Sequence, residues 1–132
     1  MQPTGVIVGA GGKMGARAAE KIDSDSRYRV LLCESNEKRA RRLEQDGFQV
    51  MPAASALQEA DFVVMAVPDA LIGRIARELA PRMKSNATLI MLDAAAAYVN
   101  ELPSPGSLTF MITHPCHPAF FTEQATAEQR RD

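Results

Sequence analysis

A cluster of glycines between an apolar run and an amphipathic segment constrains this chain more than any other feature. The stretch from Gly5 to Gly15, GVIVGAGGKMG, has glycines at positions 9, 11, 12 and 15 after its opening residue. Placed between a strand and a helix, such a loop lets the chain turn tightly at its first glycine. The second lets backbone approach a pyrophosphate, and the last keeps helix and strand close. Amides at the helix start then face the phosphates. The spacing is a variant of G-x-G-x-x-G, because the third glycine of that pattern would fall at Met14 and Gly15 closes the loop instead. Gly9, Gly11, Gly12, Lys13, Met14 and Gly15 are therefore candidate cofactor-binding residues.

An acidic partner strengthens the reading. Glu34 ends the second apolar run 19 residues after Gly15 (34 minus 15), where a carboxylate can accept both hydroxyls of an adenosine ribose. That favours NAD, since a carboxylate repels a 2′-phosphate. Ser35, Asn36, Lys38 and Arg39 follow and could hold such a phosphate, so NADP stays possible. Two other readings stay open: a glycine-rich turn that only shapes the fold, and a loop for a different nucleotide.

The remaining pattern fits an α/β architecture. Gly5 to Val8, Val30 to Cys33, Phe62 to Val67, Thr88 to Leu92 and Leu108 to Thr113 are short, mostly continuous apolar runs, as expected of strands buried on both faces. Phe48 to Met51 reads as a weaker strand ending at Pro52. Between them the period changes: Met14, Ala18 and Ile22 mark one helix, and Ile72, Ile75, Ala76, Leu79 and Met83 another. Glu37 to Asp46 forms a charged, peripheral helix with Ala40 and Leu43 facing inward and Gly47 as its stop. Right-handed crossovers then predict a doubly wound Rossmann fold: a six-stranded parallel sheet, order 3-2-1-4-5-6, with helices on both faces and the ligand at its carboxyl edge.

Composition narrows the function. The 132 residues suit one domain and are short for a two-domain dehydrogenase. A formal net charge of -1 provides no basic excess to attract nucleic acid. No apolar run approaches the roughly 18 residues that span a bilayer, and the opening residues lack a signal-peptide pattern, so a cytoplasmic location without membrane contact is expected. Cys33 and Cys116 have no disulfide-like spacing and read as reduced thiols.

Further residues fall at the same edge. Val67, Pro68 and Asp69 end the third long apolar run and should border the ribose and nicotinamide half of the cofactor. Asp69 reads chiefly as the N-cap of the following helix, with no catalytic role required. Asp93 precedes four alanines that either begin a helix or leave room for nicotinamide and substrate. Thr113-His-Pro-Cys-His-Pro118 follows the last strand and concentrates two imidazoles and a thiol. Imidazole suits proton transfer from a hydroxyl near neutral pH, which makes His114, with His117 beside it, the catalytic candidate. A proline-stiffened structural loop and a metal site through His114, Cys116 and His117 are the competing readings. The metal reading lacks a visible fourth ligand, and none is assigned.

Val8 to Gly15, Val64 to Asp69 and His114 to Pro118 together resemble the 6-phosphogluconate dehydrogenase-like superfamily of NAD(P)-dependent dehydrogenases, which includes prephenate and β-hydroxyacid dehydrogenases. The resemblance is strongest to the phosphogluconate-dehydrogenase-like group that contains D-apionate oxidoisomerases. In prephenate dehydrogenases a His-Pro in this place binds the reacting hydroxyl, which matches His114-Pro115. The serine those enzymes place three residues after the fifth-strand aspartate is Ala96 here, and no lysine follows Lys84 to serve as the β-hydroxyacid dehydrogenase lysine. The resemblance implies a sugar-acid or hydroxy-acid substrate oxidised at a hydroxyl, with isomerisation a possible companion step. It also implies a Rossmann domain over 1–118, with 119–132 opening a linker to a helical domain that forms a homodimer. The alternative is a non-catalytic dinucleotide-sensing module.

Overall fold

The computed structural model describes residues 2–92 and 106–113. The chain runs β1 (Thr4–Val8), α1 (Lys13–Asp23), β2 (Arg29–Cys33), α2 (Glu37–Gln45), α3 (Ala53–Glu59), β3 (Phe62–Met65), α4 (Asp69–Leu79), a 3-10 turn (Ala80–Arg82), β4 (Thr88–Met91) and β5 (Thr109–Ile112). All pairings are parallel, in the order β2-β1-β3-β4-β5.

The sheet has five strands, against the six expected. Phe48 to Met51 contributes one isolated parallel bridge, Val50 to Leu32, outside β2. Two backbone bonds hold it: the Leu32 amide to the Gln49 carbonyl at 3.0 Å, and the Met51 amide to the Leu32 carbonyl at 2.9 Å. Pro52 follows at once and has no N–H to extend the ladder. Counting that bridge as a vestigial third strand recovers the expected order, so the topology matches while the strand is lost.

Side-chain alternation distributes the core to two faces. Ile7, Leu32 and Val64 pack toward Ala18, Ala19 and Ile22 of α1 and Leu43 of α2. Their neighbours Val6, Leu31, Val63 and Met65 pack instead against Ala56 and Leu57 of α3 and Ile72, Ala76 and Leu79 of α4. Helices therefore cover both faces, and apolar residues on consecutive strand positions are what allow it.

Local signals explain the element ends. Asn36 caps α2 by accepting the Arg39 amide at 3.1 Å, and Gly47 follows the helix with φ +92. The helix expected to run on to Met83 stops at Leu79, because Pro81 cannot donate to a preceding carbonyl. Helix α3 lacks the extended periodicity of the others and buries only Ala56 and Leu57. At the opposite end from the glycine loop, Asp61 ties the start of β1 to the segment before β4: its carboxylate accepts the Thr4 amide at 2.7 Å and pairs with Lys84 at 2.8 Å.

Candidate dinucleotide site at the carboxyl edge

The loop after β1 is pinned before it reaches any ligand. The amides of Gly9 and Ala10 donate to the Cys33 carbonyl at 3.0 and 3.2 Å, tying the turn to the end of β2. Gly9 sits at φ +81, and a Cβ there would lie 2.6 Å from the Ala66 carbonyl oxygen. Gly15 is buried on the first turn of α1, where a Cβ would overlap the Gly9 carbonyl and approach Ala10 Cα at 2.7 Å. Strand and helix pass so closely here that only glycine fits.

Gly11 departs from its expected role. Its amide donates to Glu34 Oε1 at 2.9 Å, and a Cβ would collide with that oxygen and with Arg39 Cβ at 2.5 Å. The missing side chain makes room for Glu34 and Arg39, and the amide is committed to the carboxylate instead of facing a phosphate. Glu34 Oε2 accepts the Asn36 amide at 3.1 Å. The carboxylate is thus oriented by two backbone donors, and each oxygen keeps further acceptor capacity.

These elements enclose a cleft of about 650 Å³, within the usual range for small-molecule sites. Gly9, Gly12, Lys13, Met14, Glu34, Val67 and Pro68 of the expected residues line it; Gly11 and Gly15 stand behind its wall. Pro68, not Asp69, occupies the N-cap position of α4, and Asp69 is the first helical residue. Ser35, Asn36 and Arg39 also line the cleft, whereas Lys38 does not. Sequence reasoning missed Leu71, Ile72, Ile75 and Leu92 as lining residues, because their apolar periodicity reads equally well as core.

The cleft fits a dinucleotide on its own donor set. The Glu34 carboxylate, with acceptor capacity beyond its two backbone donors, flanks the start of α1, the end of a helix that favours an anion. Apolar side chains of Met65, Val67 and Leu92 line the wall provided by β3, β4 and their following residues. Cys33 plays no part as a thiol reagent, since burial pushes it up to about 11.

His114 and His117 lie outside the described residues, as do Asp93 and Cys116. The last described residue of this segment, Thr113, is at the carboxyl edge of the sheet, its amide donating to the Met91 carbonyl at 2.9 Å. Among the described residues no cluster of His, Cys, Asp or Glu could hold a metal, and no helix is long and apolar enough to cross a membrane.

Comparison with known proteins agrees with this geometry. Residues 2–124 match the family of the acetohydroxy acid isomeroreductase NADPH-binding domain. A D-apionate oxidoisomerase of Cupriavidus necator is 40% identical over 96% of this chain and 46% of its own length. Another, from Blautia hydrogenotrophica, is 39% identical over 96% of this chain and 44% of its own. The crystal structure of a semialdehyde dehydrogenase NAD-binding protein from Cupriavidus necator, in complex with calcium and NAD, superposes with a TM-score of 0.83 at 37% identity, covering 97% of this chain and 46% of that one. The chain spans about half the length of the curated relatives it matches.

Proposed function

We propose, from the premise that the chain belongs to the acetohydroxy acid isomeroreductase NADPH-binding domain family, that this NAD(P)-binding oxidoreductase domain prefers NAD and serves an enzyme acting on a hydroxyl of a sugar acid. The observation that carries the cofactor choice is the carboxylate of Glu34, fixed by the amides of Gly11 and Asn36 beside the cleft. A ribose bearing free hydroxyls can donate to it, whereas a 2′-phosphate would meet like charge. Arg39 on the same cleft is the counterweight that an NADP-preferring site would use.

In this reading the first turn of α1 holds the diphosphate and Glu34 the adenosine ribose. Val67 and Pro68 border the nicotinamide half. A bound nicotinamide supplies the hydride acceptor or donor. His114, with His117 near it in sequence, moves the proton of the substrate hydroxyl. The D-apionate oxidoisomerases among the relatives support a sugar-acid substrate and an oxidation coupled to isomerisation. The reading includes a cytoplasmic location, no nucleic-acid partner, and a homodimer built through a helical region beyond 119–132.

Titration of the chain with NADH and NADPH, followed by nicotinamide fluorescence, tests it. Tighter binding of NADH, lost in Glu34→Ala, is the expected result. NADPH preference would overturn the role of Glu34, and no binding of either would remove the dinucleotide reading itself.

A further inference from the structure

We infer that Glu78 selects the purine of the cofactor by accepting the exocyclic amine of adenine; this rests on the dinucleotide reading above. Beside the main cleft lies a second cavity of about 360 Å³. The two share Gly9, Glu34, Ser35, Val67 and Ile75 in their walls, so they are neighbours across the ribose-reading carboxylate. A group attached to the sugar at Glu34 can therefore pass directly into the smaller space.

That space has the chemistry of a base slot. Met51, Pro52 and Ala53 line it from the segment outside β2, Val67 from the residues that follow β3, and Ile75 from α4. These are apolar surfaces suited to the flat face of an aromatic base. Glu34 and Glu78 are its charged lining residues, with no Lys or Arg among them. Ile75 and Glu78 are three residues apart on α4, which puts them on one helical face. Glu78 is exposed, and among the described residues it makes no hydrogen bond or ion pair, so its carboxylate keeps all its acceptor capacity.

A carboxylate accepts and cannot donate when ionised. Adenine presents a donating amine at position 6 to such a group and is favoured; a 6-oxo purine has a carbonyl oxygen there, which cannot donate, and keeps only its ring N1–H as a donor on that edge. Because Glu78 is open to water, the discrimination is modest, about three- to tenfold, the scale of one hydrogen bond to a partly solvated charge.

Calorimetric titration of the chain with NAD and with nicotinamide hypoxanthine dinucleotide, which differ in that amine, provides the test. The expected result is NAD bound about three- to tenfold tighter, with the ratio falling to near one in Glu78→Ala. In Glu78→Gln the amide can donate to the 6-oxo group, so the ratio should fall at least as far. NAD binding with equal affinity for the two ligands, or an unchanged ratio in both variants, overturns the assignment of Glu78 and leaves the dinucleotide reading standing. Failure to bind either ligand overturns both.

Discussion

Gly12 and Gly15 are three positions apart, one the N-cap of α1 and the other on its first turn, and the structure uses them differently. A Cβ on Gly12 would meet only the Gly9 carbonyl oxygen at 3.5 Å, ordinary contact, and Gly12 has extended backbone angles that other residues adopt. A Cβ on Gly15 would instead strike backbone, which cannot rotate away. Gly15→Ala should therefore cost about 3 kcal/mol of unfolding free energy, as overpacking does. Gly12→Ala should cost no more than about 1 kcal/mol, the scale of an unfavourable N-cap. Chemical denaturation measures both. Because Gly12 lines the cleft, its alanine variant should still lose affinity for NADH, so the two substitutions separate folding from binding.

Elements in this molecule are fastened at both ends of the sheet by different means. At the carboxyl end the Cys33 carbonyl gathers the glycine loop. At the amino end Asp61 joins the Thr4 amide to Lys84. Lys84, and then the Thr4 amide, hold the Asp61 carboxyl below its ordinary value of 3.8. A depressed folded-state value means that the stabilisation is complete above the ordinary aspartate range and lost as pH falls through the folded value. Asp61→Ala should lower stability by about 1 kcal/mol at neutral pH, a figure limited by the solvent exposure of both partners. The gap between wild type and variant should close as denaturation is repeated at progressively more acidic pH below 3.8. A gap that stayed constant down to the acid transition would remove the carboxylate from the account.

The whole molecule has its cleft where it does because every strand runs the same way. A parallel sheet brings the carboxyl ends of its strands, with the loops after β1, β2 and β3, to one edge, so residues as distant as Gly12, Glu34 and Leu92 share one cleft. Thr113, the residue before His114 in sequence, is at that same edge, its amide bonded to the Met91 carbonyl. In a protein extended to the length of the relatives, His114→Asn should reduce turnover about 100-fold, the range of lost general acid-base catalysis, while leaving NADH affinity unchanged. Unchanged turnover would remove His114 from proton transfer. Absence of turnover in the extended wild type would favour a dinucleotide-sensing module.

The strands, the two longest helices, the glycine loop and Glu34 were all legible in the sequence. Their signals are local: apolar runs, a 3.6-residue period, and a carboxylate at a set distance from a loop. Three outcomes depended on tertiary contacts. Phe48 to Met51 had strand-like residues but only one bridge formed, since pairing at a sheet edge depends on the neighbour and on Pro52. Gly11 carried the right residue for a phosphate loop, but its amide went to Glu34, a partner 23 positions away that no local pattern specifies. Ile75 and Glu78 belong to a helix whose period announces a buried face, yet only the packing of α4 over β3 decided that the end of that face borders a cavity instead of core. Backbone preference and hydrophobic period are written residue by residue; which side chains meet across a cleft is settled only when distant segments converge.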